Sequence, residues 1–72
     1  MTSSELYQQI GTKVRALRNT KKLTIAQLAE LADINDYYLG EIERAEKKPS
    51  LEILSKLAIA LEVELYTLIK FD

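Results

Sequence analysis

Between Leu23 and Pro49 two helical patterns stand only three residues apart, and that spacing limits the fold more than any other feature of the chain. The first pattern opens at Thr24, whose hydroxyl can accept from a first-turn N–H while Gln27 reaches back to the cap's own N–H. Ile25, Leu28, Ala29 and Ala32 follow at three- and four-residue steps, which predicts one buried face with Gln27 and Glu30 turned away. Asp33 is a residue type that tolerates a left-handed backbone, and Asn35 can cap a second helix over about 35–44 on which Leu39 and Ile42 face inward. Three residues cannot make a gradual bend. The two helices are therefore predicted to cross steeply, near the ~90–120° of a helix-turn-helix, over about residues 24–44.

The remaining sequence supplies a scaffold. Leu6, Ile10, Val14 and Leu17 mark one stripe of a helix from about Glu5 to Thr20, with Lys13, Arg15 and Arg18 assigned to its other faces. Pro49 and Ser50 end the preceding loop and cap a helix whose Leu51, Leu54, Leu57, Ala58 and Leu61 repeat at helical spacing. A last short helix, from about Glu64 to Lys70, carries Leu65, Leu68 and Ile69. No segment alternates with period two, so no sheet is expected. The prediction is an all-α fold of five helices in one domain over residues 1–72, and 47% apolar content is enough for a single packed core.

Composition removes several classes of chemistry. The chain has no cysteine and no histidine, which excludes disulfides, thiol chemistry, imidazole catalysis and the usual structural zinc sites. No metal and no cofactor are expected. Carboxylates two residues apart, such as Glu41 with Glu43 or Glu62 with Glu64, point to different helix faces. They have no base, nucleophile or glycine-rich phosphate cradle beside them, so an enzyme is not expected. The longest apolar run, Leu57 to Leu61, is far short of the ~20 residues a bilayer needs, and the N-terminal residues lack the basic-then-apolar order of a signal peptide. A cytoplasmic protein without membrane contact is the expectation.

Charge is polarised along the chain. Residues 1–22 hold five cations and one anion, +4, while residues 23–72 hold five cations and ten anions, −5, which together give the net −1.

The segments IGTKVRALR, LTIAQLAELADI, YYLGEIER and PSLEILSKLAIALEV followed by LYTLI resemble the Cro/repressor-type helix-turn-helix proteins, a family of bacterial and phage regulators, over about residues 10–69. The resemblance implies a compact lambda-repressor-like domain that binds operator DNA as a two-fold dimer, with the third helix in the major groove and the second across the backbone. Carried over residue by residue, it implies base readout by Asp36, Tyr37, Gly40 and Glu41, with Asn35 at the head of that helix. It implies phosphate contact at Thr24, Ile25 and Gln27, and from Lys47 and Lys48 after the third helix. Tyr38 would sit between core and phosphate, and Arg44 is either a phosphate contact or a solvated cation near a helix C-terminus. Arg18 and Glu43 stand where family members form an ion pair. Ile53, Ile59 and Tyr66 are apolar or aromatic where similar proteins commonly carry polar residues, Ile69 and Phe71 add apolar surface, and Ile59, Tyr66 and Ile69 are the implied centre of a homodimer interface.

Departures from the family pattern set expectations of their own. Ala45 stands where a glycine usually follows the third helix, and a left-handed alanine costs roughly 1–2 kcal/mol, so either the helix runs on or the loop differs. Gly40 stands mid-helix, where close approach to DNA or to the second helix would explain it. The acidic second part of the chain lacks the basic footprint of most DNA binders. It leaves open an interaction module, antitoxin-like or anti-repressor, that would use Asp36, Glu41, Glu43 and Glu46 against a basic partner.

Overall fold

A computed structural model describes residues 1–71, in which five helices follow one another: α1 (Ser3–Thr20), α2 (Ile25–Ala32), α3 (Asp36–Glu43), α4 (Leu51–Leu61) and α5 (Leu65–Ile69). Four of the five starts are fixed by side-chain caps. The Thr24 hydroxyl accepts from the Gln27 N–H at 3.0 Å and the Thr24 N–H donates to the Gln27 side chain at 2.9 Å, closing a reciprocal box. Asn35 accepts from the Tyr38 N–H at 3.1 Å and Ser50 from the Ile53 N–H at 3.2 Å. A second reciprocal box, Thr2 with Glu5, starts α1 at Ser3, two residues before the expected start at Glu5.

The ends of α1 to α4 share one unusual device. Lys22, Asp33, Ala45 and Glu62 all have positive φ, between 57° and 61°, at positions that favour glycine. Behind each, the next residue's N–H donates back five residues: Leu23 to Arg18, Ile34 to Ala29, Glu46 to Glu41 and Val63 to Ala58, at 2.8–3.1 Å. Three of those closing residues, Leu23, Ile34 and Val63, pack on the core, as such ends prefer, whereas α3 closes on the exposed Glu46. Ala45 therefore neither extends α3 nor changes the loop: the alanine adopts the left-handed turn itself.

The core is drawn from all five helices. Val14, Leu28, Leu39, Leu57, Leu61 and Leu68 are fully buried, and Ile10, Ala29, Ala32, Ile42, Leu54 and Ala58 surround them. One expectation about an apolar stripe needs correction. Leu51 is 66% exposed, because it lies in the first turn of α4, where the Cα–Cβ bond leans back toward the N-terminus and past the core. Arg18 stands off the apolar stripe and is buried on the side of α1 that meets α3. Gly11 explains how closely those helices approach, since a Cβ there would fall 2.6 Å from the carbonyl oxygens of both Ile42 and Glu43.

Candidate nucleic-acid interface

The α2–α3 corner is held by the left-handed Asp33 and by Leu28, Ala29, Ala32, Leu39 and Ile42 packed inside it. Outside, α3 presents Asp36, Tyr37, Glu41 and Arg44, whereas Gly40, expected at the bases, is buried beneath the Arg44 side chain. Tyr37 is 73% exposed with no apolar partner, whereas its neighbour Tyr38, about 100° around the helix, is half-buried against the core. Asp36 is exposed and Glu41 half-buried. Asn35 is exposed, but its side-chain oxygen is committed to the cap of α3.

At the head of α2, Thr24 and Gln27 are exposed and Ile25 is half-buried. The Gln27 oxygen is taken by the capping box, which leaves its NH₂ donors to face a ligand. Past α3, Lys47 is exposed, and the Lys48 ammonium stands 6.0 Å from the centre of the Tyr7 ring of α1. Gly40 approaches neither α2 nor open space: the nearest atoms to a Cβ built there belong to Arg44, whose Nη1 would be 3.0 Å away.

Arg18 and Glu43 meet as a bidentate pair, Nε to Oε2 at 2.7 Å and Nη2 to Oε1 at 3.0 Å, with a third bond from Nη1 to the Leu23 carbonyl at 2.8 Å. The hydrogen bond to Glu43 raises the Arg18 guanidinium above the ordinary arginine value against the opposing effect of burial. One carbonyl and one carboxylate thus tie α1, the turn before α2 and α3 into one frame. With a side chain only 4% exposed, Glu43 cannot serve an acidic docking face. Arg44 makes a different pair, with Glu46, at 2.8 and 3.3 Å on the surface. Its hydrogen bonds lower the Glu46 carboxyl and raise Arg44. The proposed acidic module would therefore keep only Asp36 and Glu41 unengaged among its four residues.

Two features of this face escaped the sequence reading. Glu46 reaches Arg44 only because the chain turns at Ala45, a contact no helical spacing rule describes. Arg15 lies beside Ile25, Gly40 and Arg44 in one cleft. It stands three residues before Arg18, so the assignment of Arg18 to α3 carried a signal that Arg15 flanks the same contact.

The exposed Ile59, Tyr66 and Ile69, at 77%, 59% and 40%, lie on α4 and α5. Phe71, half-buried, lies under the Lys13 ammonium at 4.9 Å, and Lys13 also donates to the Lys70 carbonyl at 2.7 Å. Among the described residues no helix is long and apolar enough to cross a membrane, and no three acidic side chains gather as a metal site would need.

Residues 14–68 match the family described as Helix-turn-helix. The chain is 38% identical over 60 residues to the immunity repressor protein of Bacillus phage phi105, covering 83% of this chain and 42% of that protein. It is 34% identical over 61 residues to the transcriptional regulator SinR of Bacillus subtilis, covering 83% and 55%. The chain thus spans about half the length of these relatives. In three dimensions it superposes on the restriction-modification controller protein C.AhdI of Aeromonas hydrophila with a TM-score of 0.85 at 35% identity, over 86% of this chain and 94% of that one. On the biofilm regulator SinR in complex with DNA the TM-score is 0.81 at 34% identity, over 85% and 98%. Five helices in this order, the capped corner between α2 and α3, and agreement in sequence and shape with these regulators lead to one conclusion: the chain belongs to the Cro/repressor-type helix-turn-helix family of transcriptional regulators.

Proposed function

We propose that the chain is a sequence-specific transcriptional regulator, a repressor, that binds double-stranded operator DNA with α3 in the major groove. The observation that carries this reading is its likeness in both sequence and shape to SinR, which has been solved in complex with DNA. The exposed edge of α3 is consistent with that role. Tyr37 offers a ring to a thymine methyl, and Glu41 and Asp36 are acceptors for a cytosine amino group. Thr24, Ile25, Gln27, Lys47 and Lys48 surround it as phosphate contacts, which set register and orientation while the bases set sequence.

The active species is a homodimer. Ile59, Tyr66 and Ile69 form its interface, and two-fold symmetry brings two α3 helices about 34 Å apart, one turn of DNA. Two half-sites read at once raise the affinity of a face that carries few net positive charges. Selection from a random duplex library tests the reading: enrichment of one two-fold symmetric sequence is expected, and no enrichment at low salt would remove it. Ile59→Glu with Tyr66→Glu should give a folded monomer in sedimentation and weaken binding to the selected site. An unmodified protein that sediments as a monomer at high micromolar concentration would overturn the dimer.

A further inference from the structure

A cleft of about 190 Å³ opens beside the helix-turn-helix, lined by Arg15 and Arg18 of α1, Ile25 of α2, and Gly40, Glu43 and Arg44 at α3. Three observations bear on what it holds. The Arg44 guanidinium lies against the α3 backbone at Gly40, where a Cβ would come within 3.0 Å of Nη1, 3.7 Å of Cζ and 3.8 Å of Nη2. A larger residue at position 40 would push that group outward. Arg44 also grips both carboxylate oxygens of Glu46 through Nε and Nη2, the two-pronged arrangement in which an arginine binds a phosphate. Finally, Arg18 is engaged on all three of its nitrogens by Glu43 and the Leu23 carbonyl, whereas Arg15 is exposed and makes no ion pair among the described residues.

We propose that Arg15 and Arg44 form a phosphate-binding cleft for the backbone of duplex DNA, and that Glu46 fills the Arg44 fork as an internal stand-in for phosphate, displaced when DNA binds. The inference rests on the DNA-binding reading above and adds to it a contact from α1 and a competitor built into the loop. Gly40 gains a reason in this account: it seats the guanidinium beside the cleft. A carboxylate two residues away is always present at high local concentration, so Arg44 contributes to binding only the difference between phosphate and Glu46. The protein's affinity should then fall below what its cations imply. Removing the competitor should raise it.

Phosphate contacts do not depend on sequence, so a labelled random-sequence duplex is a sufficient probe, followed by fluorescence polarisation across a salt series. Glu46→Gln is expected to bind about three- to tenfold more tightly at low salt, with a salt slope steeper by about one. Arg15→Ala and Arg44→Ala should each weaken binding and flatten the slope by about one. The decisive comparison is Glu46→Gln made in the Arg44→Ala background. Loss of the gain there supports competition for Arg44. A gain that persists shows only the removal of a nearby negative charge, and overturns the proposal. Wild-type binding with an unchanged Glu46→Gln overturns it too, while leaving the DNA-binding reading intact. Failure of both proteins to bind any duplex would instead take down that reading. Thermal melts of each variant confirm that the fold is kept, as an exposed pair allows.

Discussion

Arg18–Glu43 and Arg44–Glu46 are the same chemical pair, made with the same bidentate geometry and separated by a single residue along α3's end, yet their surroundings differ. The side chains of the first are 11% and 4% exposed and those of the second 52% and 53%. Burial removes water as a competitor, so in the first pair each partner depends on the other for its charge to be tolerated at all. In the second, water and salt can replace either partner at little cost. The buried pair therefore works as a structural tie among α1, the turn and α3. The exposed pair is available for exchange with an outside anion. Identical contacts serve opposite ends because of where the chain places them.

The strongest way to break the comparison is to remove one partner of the buried pair. Glu43→Gln or Arg18→Met should each cost about 3 kcal/mol, roughly 10–20 °C in melting temperature for a chain of this size, because the group left behind is buried and unpaired. A loss of under a degree or two in both would make the two pairs energetically alike. Next in size is Gly11→Ala, which forces a methyl against two backbone carbonyls of α3 next to Glu43. It should cost about 2 kcal/mol despite the better helix propensity of alanine, and a stabilised variant would show that α1 and α3 can separate without harm.

The turn inside the exposed pair, at Ala45, gives a smaller effect of opposite sign. Ala45→Gly relieves the left-handed alanine and should stabilise the fold by about 1 kcal/mol in denaturant melts, without moving either pair. The smallest effect belongs to the exposed pair: Glu46→Gln should leave the neutral-pH melting temperature where it was. Its pH dependence has a definite sign. Since Arg44 lowers the folded carboxyl of Glu46, whatever the pair contributes is present above the ordinary carboxylate value and lost as pH falls through the lowered one. Arg18 is raised instead, so the contribution tied to its proton persists throughout the acid and neutral range and is lost only as pH rises through that raised value. In a two-variant acid titration, whatever small difference separates Glu46→Gln from the unmodified protein near neutral pH should vanish at the acid end.

Much of the fold could be read from local chemistry. Thr24 with Gln27, Asn35 and Ser50 are caps whose partners lie three residues away, so their helices start where sequence alone puts them. The Thr2–Glu5 box obeys the same rule but precedes the first apolar residue of the stripe, and an apolar pattern cannot register it. Periodicity placed Leu51 with the core because it counts spacing and cannot see that a first turn overhangs. Ala45 posed a choice between a longer helix and another loop, and the backbone took neither, since two hydrogen bonds from the residues at 45 and 46 hold the strained turn closed. At the candidate site, the exposure of Tyr37 and the half-burial of Tyr38 follow from a 100° step. The cleft of Arg15, Gly40 and Arg44 does not, because it depends on how α1 lies along α3.

Four helix ends in this small chain carry side chains where a glycine would rest at ease. Each is a reserve that one substitution can release, of about 1 kcal/mol where the new residue fits as well as glycine does. On the function proposed above, α3 must change its exposed residues to follow a changing operator, and many such changes cost stability. Lys22, Asp33, Ala45 and Glu62 give this chain mutational headroom: a harmful change on α3 can be offset at a turn that touches neither the core nor the bases, so specificity can drift while the fold stays above its threshold.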